Sequence, residues 1–188
     1  MGRRIEKRTP ATYEDLLAAP DHLVAELIDG TLYLSPRPTP LHQKSAGALA
    51  GELHNPFQRG RGGPGGWILL PEPELHLGDD ALVPDIAGWR RERLPEQPSR
   101  AHITTPPDWL CEVRSPSTSA VDRKVKMPVY AAAGVPWIWI VDPEGQTLEV
   151  FHLGGGHWVD AGVWSEDDKA CVPPFDAIEL DLSVLWRW

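Results

Sequence analysis

The sequence predicts an α/β fold on three observations. A helix-type segment stands between two strongly apolar β-type runs, at about residues 109–114 and 137–141. Short β-type runs elsewhere are divided by Gly, Pro and Asp, and 41% of the 188 residues are hydrophobic, enough to bury one good core. A strand–helix–strand step of this kind predicts two parallel strands joined by a right-handed crossover. Length alone suggests one domain over residues 1–188.

Taken in chain order, Thr12 with Asp15 three residues on resembles a capping box, opening a short helix over 13–19 that stops before Pro20. Residues 21–27 read as a second short helical or turn segment. Asp29-Gly30 then gives a hairpin signal, which places Glu26 just before the first strands, near 31–35. From His42 to about Leu53, Ala, Leu and Gly recur at helical spacing until Pro56 and the Gly-rich loop 59–66 stop the helix. Residues 67–78, 82–89 and 109–115 are β-type runs expected to be neighbours in one sheet. A Pro-Ser-Thr turn after Ser115 leads to Ser119 or Asp122 as N-cap of a helix over 123–133, closed by Gly134. Pro128 inside it calls for a first-turn position or a kink. Residues 136–143, 147–153 and 157–164 then form a strand followed by a hairpin, with turns at Glu144-Gly145 and Gly154-Gly155-Gly156.

Several function classes are disfavoured. The longest apolar stretches fall far short of the roughly 20 residues that span a bilayer, and the charged N-terminus has no apolar run behind it, so no membrane partner and a cytoplasmic location are expected. Cys111 and Cys171 are far apart and lack metal-site spacing, so neither a disulfide framework nor a cysteine metal site is expected. The net charge of −9 argues against a protein that coats nucleic acid through many basic residues; any contact with DNA should be local. The nine tryptophans, among them Trp109, Trp137, Trp139, Trp186 and Trp188, read as core or interface anchors, and a homodimer is compatible with them.

The chemistry-bearing feature is Pro84-Asp85 in one β-type run, Glu112-Val113-Arg114 in the next, and Lys126 on the following helix. An acidic residue inside an apolar strand is expensive to bury unless paired or bound to a cation, and here two occur in consecutive runs. If the strands pair, Asp85 and Glu112 can converge on a hard divalent cation, Mg²⁺ or its substitute Mn²⁺, with the Val113 carbonyl and waters completing an oxygen shell. Their mutual repulsion without metal should raise at least one carboxyl pKa. The plainer alternative is that each carboxylate sits at a solvated strand end or pairs with an Arg or Lys.

The order Glu26-Leu27-Ile28-Asp29-Gly30, His42-Gln43, Pro71-Glu72-Pro73, Pro84-Asp85, residues 112–118, Asp122, Lys126, Tyr130, Gly134-Val135-Pro136 and residues 139–143 resembles the Uma-two family of putative restriction endonucleases. That resemblance implies the PD-(D/E)XK, restriction-endonuclease-like fold, a central mixed sheet flanked by helices, with Asp85 and Glu112 as metal ligands. It also implies a helix-borne Glu26 sharing the site. The superfamily pattern wants a lysine two residues after Glu112, where this chain has Arg114, which stays protonated and is a poor base. Lys126 resembles the family's relocated lysine. Lys124 is its rival, but two residues apart on a helix point in different directions. His42 and Glu72 also match family positions, as ligand-shell groups or as a cap and a solvent-facing residue. The function expected is metal-dependent endonucleolytic hydrolysis of phosphodiester bonds, with DNA as substrate. The rivals are a catalytically silent interaction module on the nuclease fold and a metal-dependent hydrolase of small phosphorylated molecules.

Overall fold

The computed structural model describes residues 5–94, 96–115 and 119–188. Two six-stranded sheets, helices on their faces and a short two-stranded ribbon form the mixed α/β architecture expected. The first sheet contains β1 (Glu6–Arg8), β2 (Leu23–Ile28), β3 (Thr31–Pro36), β5 (Glu74–Leu77), β6 (Asp80–Leu82) and β8 (His102–Ile103), in the order β1-β3-β2-β6-β5-β8. The second contains β4 (Trp67–Pro71), β7 (Ile86–Arg90), β9 (Trp109–Val113), β10 (Trp137–Asp142), β11 (Thr147–Gly154) and β12 (His157–Ser165), in the order β12-β11-β10-β9-β7-β4. As the strand–helix–strand step predicts, β9 and β10 pair in parallel, Ile138 against Leu110 and Ile140 against Glu112. The hairpin β11–β12 follows.

The expectation that 67–78, 82–89 and 109–115 share one sheet is corrected. β4, β7 and β9 are neighbours in the second sheet, but residues 74–82 cross to the first. Glu72 adopts φ 44° between Pro71 and Pro73, and this sharp turn redirects the chain between sheets. The helical or turn reading of residues 21–27 is also corrected. Asp21 and His22 do turn, but Leu23–Ile28 form strand β2, so Glu26 is borne on a strand, opposite Tyr33. Asp29 and Gly30 both take positive φ, 48° and 62°, and this two-residue turn pairs the flanking arms residue by residue, overriding the helix preference of Leu, Ala and Glu.

Helix α1 (Tyr13–Leu17) starts with the capping box, Thr12 accepting from the Asp15 N–H and Asp15 accepting from the Thr12 N–H. Helix α2 (Pro40–Leu53) begins at Thr39 and does not stop at Pro56: a wider i→i+5 turn, His54–Gln58, carries it on. The same device appears between α3 (Ser119–Val121) and α4 (Met127–Ala132), where Asp122–Lys126 forms a wide turn just ahead of Pro128. A prolyl ring clashes with the carbonyl four residues back, and a wider turn relieves that clash without ending the helix. The Pro-Ser-Thr turn expected at 116–118 lies outside the described residues.

Strand alternation sorts the core. From β9 and β10, Trp109, Cys111, Val113, Trp139 and Val141 face Leu49 and Leu53 of α2, together with Val172, Phe175 and Leu185 from the C-terminal segment. Leu110, Ile138 and Ile140 face the other way, against Leu75 and Leu82 of the first sheet and Met127 and Tyr130 of α4. Leu16 of α1 covers the first sheet's outer face over Leu27, Leu32 and Leu34. The chain closes with β13 (Lys169–Ala170), β14 (Leu180–Asp181) and α5 (Ser183–Trp186). Trp109, Trp139 and Trp186 are buried as expected of anchors, whereas Trp188 is 93% exposed. Cys111 is buried and Cys171 exposed, both free. No helix of the described residues is long and apolar enough to cross a membrane.

Candidate active site

Asp85 stands just before the first residue of β7 rather than inside the strand, and Glu112 is the last residue but one of β9. Ile86 lies opposite Cys111 in the antiparallel β7–β9 pair, where the ladder ends, and Asp85 and Glu112 line the same cleft. The Asp85 carboxylate is fixed by the Val113 N–H, which donates to Oδ2 at 2.7 Å, and by His42 Nε2, 3.3 Å from Oδ1. His42 comes from the first turn of α2, where Thr39 caps its N–H.

Lys126 enters from the helical side. Its Nζ lies 2.7 Å from Glu112 Oε1, 2.9 Å from Glu26 Oε1 and 3.9 Å from Asp122 Oδ1, and these four side chains are each 4–7% exposed. Tyr130 donates its hydroxyl to the same Glu112 oxygen at 2.7 Å, and Glu26 accepts the Val83 N–H at 2.9 Å. The bonds from Lys126 and Tyr130 both reach Oε1, so neither uses the second oxygen of Glu112. Glu26, His42, Glu72, Asp85, Glu112, Val113, Asp122 and Lys126 all line one cleft of about 520 Å³.

Burial pushes the Glu112 carboxyl well above the usual carboxylate range; the Lys126 ammonium pulls it down, and the charges of Asp122, Asp85 and Glu26 push it up again. The direction is the one expected, but burial leads it and the repulsion from Asp85 is a smaller contribution. Burial pulls Lys126 down, but Glu112 first and then Glu26, Tyr130 and Asp122 outweigh it, leaving its pKa well above the ordinary lysine value. Lys126 is thus a fixed positive charge at neutral pH and no general base. His42 is drawn down by burial and up by its hydrogen bond and charge pairing with Asp85, with a net rise; its Nδ1 is buried with no partner among the described residues.

The other lysine and the arginine are elsewhere. Lys124 is exposed, and Arg114 turns to Asp142, 2.5 Å away. Glu72 is exposed at the cleft rim, where its backbone N–H donates to the Asp85 carbonyl at 3.0 Å. Asp122 and Tyr130 were given no role in the site by sequence reasoning, although the spacing Asp122, Lys126, Tyr130 is i, i+4, i+8, one stripe of a helix that carried the signal. Among the described residues, the metal-type triplet whose donor atoms all lie within 4.8 Å of one another is a different one, Glu74, His76 and His102, none of which lines the cleft.

The cleft is lined by six carboxylates, those of Glu26, Glu72, Asp85, Glu112, Asp122 and Glu144, against the cations of Lys126 and Arg37. A donor set made mostly of carboxylate oxygens, with His42 as its one imidazole and with surplus negative charge, fits a hard divalent cation better than a soft one.

Comparison with known proteins agrees with this architecture. A family model described as Uma2, putative restriction endonuclease, matches residues 10–184. The solved structure of a putative nuclease of the DUF820 group from Anabaena variabilis superposes with a TM-score of 0.74 at 23% identity, covering 94% of this chain and 98% of that one. At that identity the likeness speaks for the fold, which is restriction-endonuclease-like. No curated protein matches the chain.

Proposed function

Because this chain belongs to the Uma2 family of putative restriction endonucleases, we propose that it is a divalent-metal-dependent endonuclease hydrolysing phosphodiester bonds in DNA, with residues 1–188 acting as one unit in the cytoplasm. The observation that carries the reading is the convergence of Asp85, Glu112, Glu26 and Lys126 on one cleft. Asp85 and Glu112 would hold Mg²⁺, or Mn²⁺ in its place, with the Val113 carbonyl as a third donor. The bound cation would supply Lewis acidity toward a phosphoryl oxygen and acidify the attacking water.

The chain's own groups do the rest. His42 and the Val113 N–H hold the Asp85 carboxylate in one orientation. Glu26 holds the Lys126 ammonium beside Glu112, from where it neutralises charge developing on the phosphate in the transition state. Tyr130 donates to the same Glu112 oxygen and helps to fix that carboxyl. Cutting both strands of a duplex requires two such clefts or two encounters, which favours a homodimer at work.

Incubating plasmid and oligonucleotide substrates with Mg²⁺ or Mn²⁺ tests this, together with calorimetric metal titration. Wild type should cleave DNA, and Asp85→Ala should lose both cleavage and metal affinity. Equal metal affinity in the two proteins would remove Asp85 from the site, and inactivity of wild type on DNA and RNA would return the chain to the silent-module reading.

A further inference from the structure

A second cluster, on the first sheet, has ligand chemistry of a different kind. Glu74 and His102 are Cα partners in the parallel β5–β8 pair, and His76 is two residues beyond Glu74 on the same strand, so alternation puts all three side chains on one face. His76 Nε2 lies 2.7 Å from Glu74 Oε1, and one ligand atom from each of the three residues falls within 4.8 Å of the other two. All three are half-buried, open enough for an ion to enter and closed enough to hold ligands in place. The Tyr13 hydroxyl donates to the same Glu74 oxygen at 2.7 Å, and its ring stands edge-on to His76 at 4.9 Å.

We propose that Glu74, His76 and His102 form a site for a first-row transition metal of the Zn²⁺ type, separate from the carboxylate cleft. Two imidazoles and one carboxylate are a borderline donor set that favours Zn²⁺, Co²⁺ or Ni²⁺ and offers Mg²⁺ little, whereas the carboxylate-rich cleft has the opposite preference. The His76 and His102 rings stack at 3.7 Å with only 8° between their planes, so one ring must turn about its Cβ–Cγ bond before both lone pairs meet a single ion. That torsion is broad and roughly two-fold for histidine, so the turn is a small rearrangement. Tyr13 is a positioning residue: its hydrogen bond orients the Glu74 carboxylate, as partners of ligating groups do at metal sites. The ion would tie β8, a two-residue strand at the sheet edge, to β5, and through Tyr13 to α1. Binding to the folded state alone would then stabilise the protein by mass action.

Untagged full-length protein, stripped of metal, is titrated with Zn²⁺ by calorimetry and with Co²⁺ by visible absorption, for wild type, Asp85→Ala, His76→Phe and His102→Phe. Phenylalanine keeps the ring stack and removes the ligand nitrogen, and circular dichroism confirms that each variant folds. Wild type and Asp85→Ala should take up one equivalent of Zn²⁺ and develop the same Co²⁺ band. Each folded His→Phe variant should bind at least about 10-fold more weakly and lose the band. Zn²⁺ should also raise the melting temperature of wild type and leave that of His102→Phe unmoved. Absence of stoichiometric Zn²⁺ uptake by wild type, or uptake unchanged by either histidine substitution, would overturn the site and leave a hydrogen-bonded His–Glu–Tyr cluster. Loss of uptake in Asp85→Ala with the histidines intact would reassign the ion to the cleft.

Discussion

Lys126 is a buried cation whose desolvation is offset chiefly by the carboxylates around it, Glu112 first. Removing it leaves Glu112 and Glu26 buried without their counter-charge, a change that costs about 3–5 kcal/mol when one partner of a buried pair is lost. Lys126→Ala should therefore lower both stability in urea and DNA cleavage, the latter by about 10²-fold or more. Lys124→Ala, on the exposed side, should stay within about 0.5 kcal/mol of wild type. Equal urea midpoints for the two variants would show that the buried pairing carries no stability. The alkaline limb tests the same residue. The Lys126 pKa is raised above its unfolded value of 10.5, and Tyr13, bonded to Glu74, is raised from 10.0 to about 12. Both groups hold their protons longer in the native than in the unfolded state, so their contribution is complete below the unfolded values and is lost as pH rises through the folded ones. Unfolding free energy should thus decline between pH 10 and about 12, with Lys126→Met showing a shallower slope; a flat profile in urea titrations would contradict this. The family resemblance singled out Lys126, and that only one of the two lysines can face the site was legible from their helix spacing. The number of carboxylates around Lys126 was not, since Glu26 arrives from a strand distant in sequence.

Among the elements, β7 pairs with the strand that bears Glu112, and the α3–α4 helix brings Asp122 and Lys126 to the cleft. In β7, Gly88 lies between Leu69 of β4 and Trp109 of β9, and an added Cβ would come within 2.8 Å of Leu69 Cδ2, 3.2 Å of Trp109 Cε3 and 3.3 Å of Trp67 Cε3. Glycine is needed there because two indoles from neighbouring strands fill the space above it. Gly88→Ala should destabilise by about 1–3 kcal/mol through overpacking, measured by denaturant unfolding; a neutral result would mean that the indoles can shift freely. From the helical side, the stripe of Asp122, Lys126 and Tyr130 descends on Glu112 through the wide turn ahead of Pro128. The helix itself, its closure near Gly134 and the oddity of Pro128 are local properties, visible from capping and proline chemistry. Strand β2 was misread because its composition suits a helix, and only the pairing imposed by the Asp29-Gly30 turn decides otherwise.

At the scale of the whole molecule, the C-terminal segment closes the face of the second sheet opposite the first. Phe175 is fully buried at the centre of an aromatic group, with ring centroids 4.6 Å from Phe57, 4.8 Å from Trp67 and Trp109, and 5.6 Å from Trp139. Phe175→Ala should cost about 3–5 kcal/mol, read from the shift in urea midpoint at unchanged m-value. A loss below about 1 kcal/mol would show that this segment docks without contributing to the core. Nothing near Phe175 announces that role, because its partners come from α2 and three strands far away in the chain. Legible from the chain alone were the parallel β9–β10 step, the hairpin after it and the Thr12 capping box, which follow from periodicity and turn chemistry over short spans, whereas Ser119 and Asp122, read as N-caps, lie within α3 and the wide turn after it. Only the tertiary structure decided that residues 67–82 divide between two sheets, that Glu26 rides a strand, and that Glu74, His76 and His102 share a face. Those depend on which strands become neighbours, and pairing between distant segments is fixed by the packing of the whole core rather than by any local pattern.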